Sequence, residues 1–496
     1  MRDIDRYFDH HVSSFEQLKT NLTLSLVLNG CRMNPERPQK WTSEPSPICD
    51  GMHLLEPSQT GDASTLDAAS DLIVSTVRMG YGHHRIALAV ASWAKSEGRT
   101  GQVLDLLATS LDESKAIHRL DRLYSAMSRI SADLGGPLEA LWGRMMTAGD
   151  ISSCRMADQM ASHLGALMAD LPRDVPIISA YPINGHLAVR LGFERVINLI
   201  FDNDPQHFLI VPGALNLVQT TSSYEKLRML GVNENEVAVA GHWVSEELVS
   251  NIETDCKARI RRSESGVPTT FCLTVGGAGA QKKFLSQLIE GLKGLLDSGK
   301  GKLLINLGDH AHMRAPIEGL LARLGVTFSK VHGFNALKSF CDNHGLTQDD
   351  DPDLCPVTLF TFDRHLEAVR ATDCLMRVSD VLVTKPSELA FVPVPKLHIR
   401  RVGDHEAASA RRSAELGDGT LEYREVSEAV RMAHLLAAGP ELTVPMNERI
   451  IAHKAMGVYD GAKNAVKHAL TDSSNGLQSV PQNVHPSNLG TTSEAA

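Results

Sequence analysis

Short, wholly apolar stretches separated by helical ones recur in two series along this chain, and that alternation limits its fold more than any other feature. The first series reads "DLIVSTV", "GQVLDLL", "VPIISAY", "RVINLIF", "LNLVQT" and "EVAVAG". After the polar stretch "NIETDCKARIRRSESG" it restarts with "TTFCLTVGG", "KLLINLG", "PVTLFTF", "DVLVTK" and "PKLHIRR". Strands without a polar face are buried on both sides, so each series predicts a parallel sheet covered by helices on both faces. Two series predict an α/β protein of two doubly wound, Rossmann-like domains, joined near residues 250–268. On this reading residues 1–66 are an irregular N-terminal extension with one helix around 15–28. Residues 67–255 are the first domain, 256–470 the second, and the polar tail 471–496 is disordered.

Composition excludes several classes of function. Among 496 residues, 59 Asp and Glu outnumber 49 Lys and Arg, so no strongly basic face is expected and nucleic acid is not a predicted partner. No apolar run approaches the roughly 18 residues that a membrane span needs. The start, "MRDIDRYFDHH", is charged from its second residue and does not read as a secretory signal. The eight cysteines form no C-x-x-C pair, which points to a reduced intracellular protein rather than a disulfide or zinc framework. A cytoplasmic protein is expected, with peripheral contact at the inner face of a membrane as the closest approach to lipid.

In open parallel sheets the loops at the carboxyl ends of strands carry the chemistry. Three such loops stand out. In "VRMGYGHHRIALAV", Gly80 and Gly82 allow a tight turn and close backbone approach at the positive end of the following helix, and His83 and His84 follow at once. A dinucleotide fingerprint competes, with Asp105 near the expected distance, but Arg85 stands where the third glycine should allow close helix–strand packing. A tight turn with solvent-facing histidines is the plainest alternative. The second loop, "LTVGGAGAQKKF", ends a strand in Gly276, Gly277 and Gly279 and continues through Ala280 and Gln281 into a helix, a cradle suited to a diphosphate. It lacks the G-K-[ST] of a P-loop. In the third, a strand ends at Lys385-Pro386, Ser387 and Glu388 open a short helix, and His405, Glu406 and Ser409 lie on the next loop and helix. A carboxylate there can bind the vicinal hydroxyls of a ribose, or it can simply stabilise its own helix's first turn.

Other features carry less. "GDHAHM" offers His310 and His312 without a third ligand nearby, so no metal site is predicted, and "TQDDDPDL" reads as a solvated insertion. "HRLDRLYSAMSRISADLGGPLEALWGRMM" sets Leu120, Leu123, Tyr124, Met127 and Leu134 near one helical face, which suits the core better than a bilayer.

In their order, these loops resemble the GT-B glycosyltransferases grouped around the lipid II N-acetylglucosaminyltransferase, the monogalactosyldiacylglycerol synthases and the processive diacylglycerol glucosyltransferases. The likeness covers roughly residues 71–470. By that resemblance Gly80, Gly82, His83 and His84 belong to an acceptor-side "GxGH" loop, and "VGGAGAQ" meets the donor diphosphate. Glu388 and Glu406 fall where the family places glutamates on the ribose and near the sugar, with Ser409 where an Asn is usual. "GHWV" takes the place of "GiPv", Trp243 replacing the proline. The family typically reads "KPGGlTxSEalaxGxP" and this chain "KPSELAFVPVP", about four residues shorter between Pro386 and Ser387.

The resemblance implies inverting transfer of a sugar from a nucleotide-diphosphate donor, a UDP-sugar, to a hydroxyl of a lipid-like or small acceptor. His83 is the expected base, since imidazole titrates near neutrality, and Asp202 the second choice. Lys385 and the glycine-loop amides are expected to steady the leaving diphosphate, with no obligatory metal or cofactor. Two rivals stay open: a nucleotide-sugar 2-epimerase of the same architecture, and a non-catalytic binding protein on a degenerate GT-B fold.

Overall fold

The computed structural model describes residues 4–34, 36–59, 61, 65–78, 80–119, 151–275, 281–347, 354–401 and 406–471. Every strand expected from the two apolar series is present. The first sheet holds β1 (Trp41–Pro45), β2 (Met52–Pro57), β3 (Asp71–Thr76), β4 (Thr100–Asp105), β5 (Ile177–Ser179), β6 (Val196–Leu199), β7 (Leu215–Val218) and β8 (Val237–Val239). Its order is β1-β2-β4-β3-β5-β6-β7-β8. The second holds β9 (Thr269–Thr274), β10 (Gly301–Asn306), β11 (Phe328–His332), β12 (Val357–Thr361), β13 (Val381–Thr384) and β14 (Lys396–His398), ordered β11-β12-β10-β9-β13-β14. All pairings but β1 with β2 are parallel.

Burial explains the apolar runs. All six residues of β3 are buried. Leu72 and Val74 enter one cluster with helix Gly82–Ala94, while Ile73 and Val77 enter another on the opposite face with Leu164 and Ile183. This is the strand period of two with no polar face left over. The first cluster continues into the second domain through Cys272, Leu304 and Phe360, so the two domains share one apolar core.

Two expectations need correction. The stretch 1–66 is not irregular. Its helix runs over Ser14–Leu28 behind a capping box of Ser13 and Glu16. It also supplies the antiparallel pair β1–β2, which joins the sheet through β2 alongside β4. A boundary at 255/256 would cut helix Ile252–Glu264, which is bound as a whole to the second domain: Arg259 donates to Ser379 O and Met376 O, and Arg262 pairs with Asp380. The C-terminal helices return to the first domain. Helix Gly461–Leu470 packs on helix Gly82–Ala94, and Asn464 donates to Ala240 O at 2.8 Å. The stretch around Leu120–Leu134, the insertion at Asp350 and the tail 472–496 lie outside the described residues.

Candidate active site

Strand order locates the site. β4 lies on one side of β3 and β5 on the other, so the direction of winding reverses between β3 and β5. In the second sheet it reverses between β9 and β13. A crevice opens at the carboxyl ends of the strands at each such reversal. Both expected loop clusters leave from these points.

At the first reversal, Gly80 takes φ +79° in the turn after β3, a conformation that suits glycine, and Gly82 begins helix Gly82–Ala94. His83 spans the reversal: its Nδ1 lies 3.0 Å from Ala180 O, just past the end of β5. Because a carbonyl only accepts, Nδ1 carries the proton and Nε2 keeps its lone pair. The ring edges meet Tyr181 and Phe201 at centroid distances of 5.0 and 4.6 Å. Burial lowers the His83 pKa to about 4, against the opposing pull of the Ala180 carbonyl and the Glu388 carboxylate, so the imidazole is neutral at pH 7. Asn184, buried in the helix Pro182–Arg190 that follows β5, donates to Ser75 Oγ and Thr76 O and ties that helix to the end of β3. Asp202 is half-buried in the loop after β6, next to Phe201.

His84 does not share this crevice. It is 1% exposed, and its Nε2 lies 3.1 Å from Asp105 Oδ2 and 3.4 Å from His365 Nε2. The histidine pair is therefore not a solvent-facing turn. Asp105, the residue that a dinucleotide reading would place on a ribose, is held by His84 and the Leu107 amide. Arg85 does not obstruct the helix–strand seam. It crosses to the second domain, where Nη1 pairs with Asp373 at 2.6 Å and Nη2 donates to Val369 O at 3.2 Å.

At the second reversal, Thr274 Oγ1 donates to Thr384 Oγ1 at 3.4 Å. Gln281 adopts φ +68° at the start of helix Lys282–Gly291 and donates to Arg400 O. Gly276, Gly277, Gly279, Ala280 and His405 lie outside the described residues. Lys385, half-buried past β13, is ion-paired with the buried Glu406 at the start of helix Glu406–Leu416, one turn before the buried Ser409. Ser387 precedes the short helix Glu388–Phe391 without capping it.

The two loop clusters face one another. A Cβ on Gly82 would come within 3.1 Å of Glu388 Oε2, and Arg85 Nε is 3.8 Å from Glu388 Oε1. So the Glu388 carboxylate lies against the first turn of helix Gly82–Ala94, the positive end of another domain's helix rather than only its own. Beside it, Tyr81 donates to Asp309 Oδ1 and Arg78 pairs with Asp309 Oδ2 at 2.6 Å. Asp309, His365 and Glu388 follow the carboxyl ends of β10, β12 and β13, so the seam is built from strand ends on both sides. Burial alone would raise the Asp309 pKa. The Tyr81 hydroxyl and the Arg78 and His310 charges outweigh it and hold the carboxyl below the usual range. Sequence reading missed Arg78, Tyr81, Asp309, His365 and Asp373. The signal for Asp309 was its place at a strand's carboxyl end, in the "GDHAHM" loop read only for its histidines.

Two doubly wound domains, facing across their winding reversals and tied by a returning C-terminal helix, make up a fold of the GT-B type. A domain of unknown function, DUF6937, matches residues 42–229, and a second, DUF6938, matches residues 232–470. Among solved structures the chain is similar to S. aureus MnaA in its co-structure with UDP, at 13% identity and a TM-score of 0.44 over 80% of this chain and 94% of that one. It is similar also to the UDP-GlcNAc 2-epimerase from Neisseria meningitidis bound to UDP-GlcNAc, at 12% identity and 0.40 over 81% and 100%. A third is the α,α-trehalose 6-phosphate synthase from Burkholderia multivorans, at 13% identity and 0.39 over 81% and 98%.

Proposed function

We propose that this chain is a sugar-nucleotide enzyme, a glycosyltransferase that moves a sugar from a UDP-sugar to a hydroxyl of a lipid-like or other small acceptor, with inversion. The observation that carries the reading is the meeting of Gly82 and Glu388, which sets the glycine-histidine turn of one winding reversal against the Lys385–Glu388 segment of the other. A donor held by the second domain would thus present its sugar to His83.

An acceptor hydroxyl placed against His83 Nε2 gives up its proton to the imidazole as its oxygen bonds to the anomeric carbon. The bond from that carbon to the diphosphate oxygen breaks on the opposite face. Asp202 is the alternative base. The charge left on the diphosphate is met by the amides of the glycine stretch before helix Lys282–Gly291 and by Lys385, which exchanges Glu406 for phosphate. Glu388 exchanges its contact with the helix end for the ribose hydroxyls, and Glu406 and Ser409 face the sugar. This chemistry needs no metal.

Calorimetric titration with UDP tests the donor half. Loss of charge-assisted contacts worth about 1.5–3 kcal/mol should weaken binding by roughly 10- to 150-fold in Glu388→Ala. Incubation with UDP-sugars then separates the reactions, since a glycoside marks transfer and an epimerised free sugar marks the 2-epimerase. A wild-type protein that binds no nucleotide overturns the proposal and leaves a binding scaffold.

A further inference from the structure

We propose that His84, Asp105 and His365 form a divalent metal site of the zinc class that bridges the two domains. His84 lies in the first turn of helix Gly82–Ala94, Asp105 is the last residue of β4, and His365 is the first residue of helix His365–Met376 in the second domain. One ligand atom from each lies within 4.8 Å of the others. The two edges at His84 Nε2 measure 3.1 Å to Asp105 Oδ2 and 3.4 Å to His365 Nε2. A tetrahedral zinc ion with bonds of about 2.0–2.2 Å has ligand–ligand edges of about 3.3–3.6 Å, so the two edges at His84 already stand near coordinating separation.

Hydrogen bonding accounts for the His84–Asp105 pair but leaves His365 Nε2 only a long, shared contact. His84 Nε2 offers one position, either an N–H or a lone pair. As an N–H it serves Asp105, and a His365 Nε2 lone pair can then only share that one proton at 3.4 Å. As a lone pair it accepts from His365 and opposes the Asp105 carboxylate. A cation at the centre satisfies all three atoms together. His84 Nδ1 has no hydrogen-bond partner among the described residues, so nothing behind the ring holds the proton on Nε2.

Two imidazoles and one carboxylate are the donor set that zinc takes at sites with three protein ligands, where a fourth position stays open for water or a ligand oxygen. Two ligands come from the first domain and one from the second. An ion bound to all three therefore favours the arrangement in which the domains are joined. The inference does not rest on the sugar-nucleotide reading, because none of the three residues holds donor or acceptor in it.

The test uses the untagged full-length protein, stripped with a chelator and titrated with ZnCl2, and with CoCl2 for its visible absorption. One equivalent should bind with micromolar or tighter affinity, raise the melting temperature and give a tetrahedral Co2+ spectrum. His365→Gln and Asp105→Asn should each weaken binding at least about tenfold, the least that loss of even an outer-shell partner costs. Circular dichroism establishes that each variant is folded, and His365, at the surface end of its helix, is the safer of the two. Failure of the wild type to bind one equivalent overturns the site, as does equal affinity in both folded variants.

Discussion

The two ends of helix Gly82–Ala94 both hold the domains together, and they do so by different physics. At the first turn the contacts are charged and polar side chains: Arg85 with Asp373, Arg78 and Tyr81 with Asp309, and Glu388 against Gly82. At the last turns they are backbone and small apolar groups. Ala87, Ala91 and Ala94 share a buried cluster with Ala462, Ala465 and Ala469 of the returning helix. Trp93 Nε1 donates to Val244 O at 2.9 Å, the Gly461 amide donates to His242 O, and Lys463 lies over the Trp93 ring. Backbone in close contact has no alternative partner to take up. A charged side chain does, in water or in a ligand. One end of the helix is thus fixed, and the other is made of contacts that a substrate can replace.

On that contrast the largest effect belongs to the fixed end. A Cβ on Gly461 would stand 2.5 Å from the Gly241 carbonyl carbon and 2.7 Å from His242 O, both main chain that cannot rotate aside. Gly461→Val should therefore cost roughly 3 kcal/mol or more, read from the midpoint of chemical denaturation. A loss below about 1 kcal/mol would show that this end gives way and would break the comparison.

Arg85→Ala comes next. Removing one partner of a buried ion pair typically costs about 3–5 kcal/mol, but Asp373 keeps a second partner in Arg370, 3.2 Å away. The expected loss is about 1.5–3 kcal/mol, and unfolding that splits into two transitions would mark the domains coming apart. A larger loss than in Gly461→Val would reverse the ranking of the two ends.

What the sequence made legible follows the same division. The strands could be read because burial on both faces strips them of polar residues. β1 and β2 could not, since "WTSEP" and "MHLLEP" each carry a charge and end in proline, and β11, "FSKVH", is a partly exposed edge strand. The glycine-histidine turn announced itself through Gly80 and Gly82. Its partners did not, because Tyr81 meets Asp309 across 228 residues of chain and His84 meets His365 across 281. Local pattern carries no trace of such pairs. Arg85 shows the limit from the other side. In sequence it looks like an obstruction in a helix–strand seam, and only the second domain reveals where its side chain goes.

The smallest effect is expected at Tyr81, because Asp309 keeps a second partner in Arg78. Tyr81→Phe removes the hydroxyl that donates to Asp309 and accepts from its amide, and leaves Arg78 in place. The net worth of such a bond is about 0.5–1.5 kcal/mol. Arg78, Tyr81 and the nearby His310 are the groups that face the carboxylate. Because the Asp309 pKa is depressed in the folded protein, its contribution is fully present above the unfolded value of about 3.9 and fades as pH falls through the lower folded value. The stability difference between wild type and Tyr81→Phe should accordingly be constant from pH 8 to pH 5 and shrink only in the acid range. Denaturation midpoints for both proteins across that series check it. A difference that instead changes between pH 8 and pH 6 would mean that His310, not Asp309, governs this contact, and that the replaceable end titrates under neutral conditions.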